Sequence, residues 1–326
     1  GNFTYGTRAG QGKRKGLGGP TWGHVYETPG TYTATQYVFD GVGYSRRTQT
    51  IVVQDPDVVF SGTNTICCSL TGDFTGAKAG ADLQTVASLA AAFGFLASGK
   101  RVLLNGSDAW TTSASYYLTG TKDNMVFGSF NGTATITMTN VNIVCVLNSA
   151  GISRIKFQDL NFNGSSVAGI FAMGSTGLDI TGVDFHNVHA YDCGGLWVNS
   201  GSNLIRNWSM SKCLIERVKG GGGYCGIFCS ATNVVMVDSA VLDATAAEHN
   251  IRFQYIGKGY IGGVTATDCA ANKHVLTVRN PAWAGGSNVN VPAGTYTEYV
   301  TISDCYFASN TSYITSIQSA SASLDA

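Results

Sequence analysis

From about residue 150 onward, apolar residues return in one spacing, at positions p, p+2, p+5 and p+7. The copies read Ile155/Phe157/Leu160/Phe162, Leu178/Ile180/Val183/Phe185, Trp208/Met210/Cys213/Ile215, Val235/Val237/Ala240/Leu242, Gly259/Ile261/Val264/Ala266 and Val300/Ile302/Cys305/Phe307. Their starting points are 23, 30, 27, 24 and 41 residues apart. Apolar residues two apart face one side of an extended strand. A further short strand follows in each turn, at 169–172, 195–198, 226–229, 250–253 and 275–278. A period in the twenties with two or three short strands per turn predicts an all-β fold, a parallel β-helix or solenoid.

Upstream the pattern changes twice. Alternation through Tyr32, Ala34, Gln36 and Val38, and again through Thr48, Thr50 and Val52, predicts two strands joined by a glycine-containing turn. In ADLQTVASLAAAFGFLASGKR, Leu83, Val86, Ala90, Phe93 and Ala97 recur at three and four. That predicts one amphipathic helix near 82–98, with Asp82 as N-cap and Gly99 as its stop. A lone helix ahead of a solenoid makes sense as a lid over the first turn. The division expected is residues 1–56 and 57–326.

Composition agrees with the strand-rich reading: 42 Gly, 5 Pro and 44% hydrophobic residues. Twenty basic and twenty acidic side chains cancel, which argues against a nucleic-acid partner. The basic run Lys13-Arg14-Lys15 reads as a solvated loop. No apolar run approaches the roughly 18 residues of a membrane span, so no membrane partner is expected. The chain starts at Gly1 without a signal-peptide pattern, as a processed chain or fragment would. Nine cysteines lack zinc-type spacing and read as small core hydrophobes, with Cys213, Cys229 and Cys305 facing inward. No metal or other cofactor is expected. Six sequons begin at Asn2, Asn105, Asn131, Asn163, Asn207 and Asn310, a number chance alone supplies in so Ser/Thr-rich a chain.

Two stretches carry resemblances. His24-x-Tyr26-x-x-Pro29-Gly30-x-Tyr32 resembles the PKD-type immunoglobulin-like β-sandwich of extracellular proteins. Its usual first strand is reduced to Asn2-Phe3-Thr4-Tyr5-Gly6, so the sandwich over 1–56 is expected to be incomplete, which invites strand donation from a neighbour. The repeat region resembles the right-handed parallel β-helix proteins of the pectate-lyase type, which implies an extracellular protein acting on or binding polysaccharide.

Stacking the turns gives candidate chemistry. With Ile170, Leu196, Ile227, Ile251 and Leu276 inward, one outward column reads Phe171, Trp197, Phe228, Arg252, Thr277. The flanking column Gly169, Gly195, Gly226, Asn250, Val275 is glycine-rich, as if to leave the rings open. Further out, Tyr224, Glu248 and Lys273 share a column, and Arg279 lies on the other side. An exposed aromatic ladder ending in charge suits the flat face of a sugar; the same ladder would also form where a loop packs across the coil. The long step before Val300 adds a segment, about 281–298, that carries Trp283 and Tyr296.

Three readings stay open. In a lyase of uronate polymers, Lys273 is the base, Arg252 and Arg279 hold the carboxylate, and Glu248 tunes the lysine. Phe171, Trp197, Phe228, Tyr224 and Trp283 then bind the glycan. A hydrolase needs paired carboxylates, and Asp179, Asp184, Asp192, Asp238 and Asp243 form no column. The alternatives are a non-catalytic adhesin, or a structural fibre subunit that self-associates through the incomplete sandwich or an uncapped carboxyl end. His249 and His274 read as structural.

Overall fold

The computed structural model describes residues 4, 9–10, 21–139, 145–147, 151–164, 171–173, 180–198, 205–219, 225–245, 248–279, 297, 299–310 and 313–317. From Thr65 onward the described strands stack in parallel, each bonded to the strand one turn later. Ile155 faces Val183, Val183 faces Trp208, Trp208 faces Val234, Val234 faces Gly259, and Gly259 faces Val300. The protein is an all-β parallel solenoid, and the two α-helices among the described residues, Pro56–Val59 and Leu89–Phe93, are short.

The pairing corrects two of the repeats. The second is Val183/Phe185/Val188/Ala190 and not Leu178/Ile180/Val183/Phe185. The fourth is Val234/Met236/Ser239/Val241, one residue earlier than expected. True steps are therefore 28, 25, 26, 25 and 41 residues.

The reason lies in the bends. At p+4 the backbone is left-handed in each of the six repeats: Asp159 (φ 56°), Asn187 (51°), Lys212 (51°), Asp238 (46°), Gly263 (67°) and Asp304 (52°). A second left-handed column at p+9 holds Asp192, Arg217, Asp243 and Asp268. Asp and Asn tolerate this conformation because their short polar side chains bond locally, and Asn187 Nδ2 donates to Asp159 Oδ1 at 2.8 Å. Several aspartates thus do stand in columns, at corners of the backbone. Gly182 (φ 95°) adds a bend five residues before Asn187, so the same apolar spacing recurs within one turn. In Val234-Val235-Met236-Val237 all four residues are apolar, and alternation alone leaves the inward face ambiguous.

Inside the coil, Phe157 stacks on Phe185 with centroids 5.5 Å apart, and Trp208 meets Phe253 edge-on at 6.0 Å. Cys213 and Cys229 are buried in this core, as expected, while Cys305 is only partly covered. The lid is shorter than the sequence pattern implies. Asp82–Thr85 is a strand paired with Thr65–Ser69, which leaves Leu89–Phe93 as helix, N-capped by Ser88 Oγ accepting from the Ala91 amide at 3.3 Å. Strand pairing satisfies the backbone of 82–85 that a longer helix would have used. Leu89, Phe93 and Leu96 still join the core cluster and plug that end.

Where a sandwich is expected over 1–56, the described residues hold one two-stranded antiparallel hairpin, Gly30–Phe39 with Tyr44–Val53. Asp40 Oδ1 accepts from the Val42 and Gly43 amides at its turn (2.9 and 2.8 Å). Nearly all of its residues are exposed. Residues 21–27, just before it, lie without regular secondary structure against the outside of the coil.

The corners make a stability prediction. Asp268 has φ 56°; Asp268→Gly should stay within about 1 kcal/mol of the parent, whereas Asp268→Val should lose about 1–2 kcal/mol or more in urea unfolding. Equal midpoints for the two variants would contradict a left-handed requirement there.

Candidate electropositive patch

Strands Ile227–Val237, Ile251–Gly262 and His274–Val278 belong to three consecutive turns, and their pairing builds the site. Ile227, Ile251 and Leu276 align and enter the core, while Phe228, Arg252 and Thr277 align beside them. Glu248 precedes the second strand and Lys273 the third. Glu248 Oε2 accepts from Arg252 Nη1 at 2.8 Å, and Oε1 accepts from Lys273 Nζ at 3.1 Å. One carboxylate therefore bridges two turns. The Arg252 guanidinium also lies over the Phe228 ring, 5.1 Å from its centroid. The Arg279 amide donates to Phe253 O at 2.8 Å, which sets that residue beside the same strand.

The four charged residues predicted from the sequence thus come together, as three cations around one carboxylate. Arg252 and Glu248 keep only 14% and 15% of their side-chain surface, against 38% for Lys273. The first ion pair is therefore the less hydrated arm of the bridge and the less screened by salt. Burial alone would raise the Glu248 carboxyl, but the hydrogen bond from Lys273 and the charges of Arg252 and Lys273 hold it below its ordinary value. Burial, and after it the charge of Arg252, presses the Arg279 guanidinium downward. Three cationic side chains around one carboxylate make this the densest positive cluster of the three strands.

The aromatic ladder is corrected. Phe171 pairs with Leu196 and not with Trp197, so it takes the register position of the inward column and Ala172 takes its place in the ladder. Phe228 is 4% exposed beneath Arg252 and offers no open face. The flanking glycines mark tight approach, not access. A Cβ on Gly195 would stand 2.3 Å from Gly226 O, and one on Gly226 would stand 2.5 Å from a Val241 methyl. Asn250 in that column is fully buried and donates to Thr267 O at 2.8 Å. The side chain of Trp197 and the residues Tyr224, Trp283 and Tyr296 lie outside what the structure describes.

His249 and His274 are structural supports. His249 Nδ1 lies against the His274 backbone, 2.9 Å from its amide nitrogen and 3.1 Å from its carbonyl oxygen. The His249 ring stacks on His274 (5.5 Å), and His274 stacks on Tyr313 (5.3 Å). Burial pushes His249 down to about 4. One neighbour of the patch escaped the sequence reading: Cys225 is wholly buried, and burial pushes its thiol up to about 11 although the Arg252 charge opposes this. Its place against Arg252 follows only from the stacking, because nothing in its local sequence marks it. Among the described residues no cluster of three or more His, Cys, Asp and Glu could hold a metal, and no helix is long and apolar enough to cross a membrane. Compared with protein-family models, curated proteins and solved structures, the chain finds no match.

Acid sensitivity follows from these groups. His249 and Glu248 both have depressed folded values, so the unfolded chain takes up their protons first. Their stabilising effect is complete above the ordinary values of 6.5 and 4.5 and is lost as pH falls through the folded ones. His249→Phe, which keeps a stacked ring, should flatten the loss of unfolding free energy between pH 6.5 and about 4. An unchanged slope in that interval would remove His249 from the account.

Proposed function

We propose that this protein is a glycan-binding β-solenoid that receives an acidic, uronate-bearing polysaccharide on the face of Arg252, Lys273 and Arg279. The observation that carries this reading is the ordered cluster of cations, with Arg252 held in one orientation by Glu248 and by the Phe228 ring. A guanidinium fixed in this way loses little freedom when it grips a carboxylate in two-pronged fashion. Lys273 adds a second, more exposed charge one turn away. Sugar carboxylates recur along a polymer, and a coil whose charges recur by turn can meet more than one of them.

Binding without turnover is the form this geometry favours. A lyase needs a base with a free lone pair near the sugar, and the Lys273 ammonium donates to Glu248. Neither histidine replaces it: His249 is buried with Nδ1 against the His274 backbone, and the His274 ring is stacked between those of His249 and Tyr313. The reading entails an extracellular protein, where such polymers are met. Of the eight cysteines whose side chains are described, seven are buried thiols, a state that resists oxidation outside the cell. A second reading, pairing of two copies, draws on one observation. Ile302 is 38% exposed on the last described turn, whereas Phe157, Phe185, Met210, Met236 and Ile261 at the same position are at 0%. The opposite end is plugged by Leu89, Phe93 and Leu96, so this mode joins like ends.

Calorimetric titration with galacturonic acid oligomers tests the main reading. Arg252→Ala should weaken binding at least about tenfold, and added salt should weaken the parent. Neither unsaturated product nor new reducing ends should appear. Turnover that disappears with Lys273→Ala would instead establish a lyase.

A further inference from the structure

Residues 21–27 lie along the outside of the coil, crossing its strands instead of joining them. Thr21 Oγ1 donates to Gly259 O at 2.6 Å, and the Thr21 amide donates to Thr301 Oγ1 at 3.3 Å. The Trp22 ring stands 6.5 Å from that of Tyr260. Gly23 passes so close that a Cβ there would come within 2.8 Å of Val235 and 3.1 Å of Tyr260. Glu27 pairs with Lys212. Val235, Tyr260 and Thr301 occupy one outward column, position p+1 of consecutive turns. The segment therefore runs along the coil axis, from the turn of Thr301 to that of Lys212. Among the described residues no backbone–backbone hydrogen bond ties it to the coil. Hydroxyl, carboxylate and ring contacts hold it.

Toward the Glu27 end, the same column continues as Ser209, Asp184 and Lys156, with Ser211, His186 and Gln158 beside it at p+3. Ser209 Oγ donates to Asp184, and His186 Nδ1 shares a hydrogen bond with Ser211 Oγ at 2.8 Å. Burial raises the Asp184 carboxyl and lowers Lys156 and His186, and Glu27 is among the charges acting on both of the latter. An outer face of a solenoid ordinarily keeps such groups in water. Here an acid, an amine and an imidazole are half-buried at the end of the segment nearest Glu27, at a cost in solvation.

We propose that this face is a second ligand groove and that residues 21–27 are a strap occupying it, so that an acidic glycan enters when the strap lifts. Its carboxylates would replace Glu27 at Lys212 and reach Lys156. A sugar hydroxyl would replace that of Thr21 at Gly259 O. The strap contacts are of the kinds a uronate chain offers: hydroxyl to carbonyl, carboxylate to ammonium, and a flat face against Tyr260. The inference takes its ligand class from the reading above but concerns a separate face, and the two sites share no residue.

The test uses the full chain and a hexamer of galacturonic acid, with calorimetry for affinity and amide hydrogen exchange for the strap. Glu27→Gln removes the anchor at Lys212, and Gly23→Val forces a branched side chain against Val235. Either should speed exchange over 21–27 and tighten hexamer binding by at least about tenfold, because a larger fraction of molecules is open. Adding Lys156→Met to Glu27→Gln should return the affinity to the parental value. Faster exchange without tighter binding would overturn the groove, and unchanged exchange in both variants would overturn the strap. A gain that survives Lys156→Met and vanishes with Arg252→Ala would assign all binding to the patch. Poly-glutamate binding as tightly as the hexamer would overturn the glycan assignment. If Arg252→Ala has no effect while the strap variants still gain affinity, the patch reading fails and the groove stands.

Discussion

Parallel pairing between successive turns, without slip, is the constraint on which the rest of this protein depends. A strand displaced by one residue would send Phe157, Phe185 and Met210 to the surface and bring Lys156, Asp184 and Ser209 into the core. The left-handed corners make that slip costly, because each turn must bend where a residue can tolerate a positive φ. Once the register is held, residues far apart in sequence become neighbours about 4.8 Å apart.

The charged patch is a product of that geometry. Glu248 and Lys273 are 25 positions apart in the chain yet share a hydrogen bond. The arrangement involves a compromise. The carboxylate that orders Arg252 and Lys273 also consumes part of the positive charge. What it takes in charge it returns in order, because Arg252 is held between Glu248 and the Phe228 ring.

The solenoid, its inward cysteines, its plugged end and the convergence of Glu248, Arg252, Lys273 and Arg279 were legible in the sequence, because each rests on a period. What failed were details that a period does not encode. The repeat around Leu178 was misplaced because the bends at Gly182 and Asn187 produce the same spacing five residues apart. That error set Asp179 opposite Lys156 and hid the true neighbour, Asp184. Phe228 was expected to be open because alternation tells which way a ring points, not what lies on top of it. The glycines beside it were read as access, whereas Gly195 and Gly226 are there because backbone and side chains pass within about a carbon radius. The strap was invisible for a different reason: its contacts join residues some 185 to 280 positions apart and follow no repeat.

A coil of this kind is weak in one direction. Its hydrogen bonds run between turns, so tension along the axis loads them a turn at a time and the structure peels as a zipper does. Residues 21–27 change that mechanics over part of the length. They tie the turn of Lys212 to those of Gly259 and Thr301 through side-chain contacts that bypass the intervening bonds. While the segment is seated, those turns share an axial load as one block; when it lifts, each must carry the load alone.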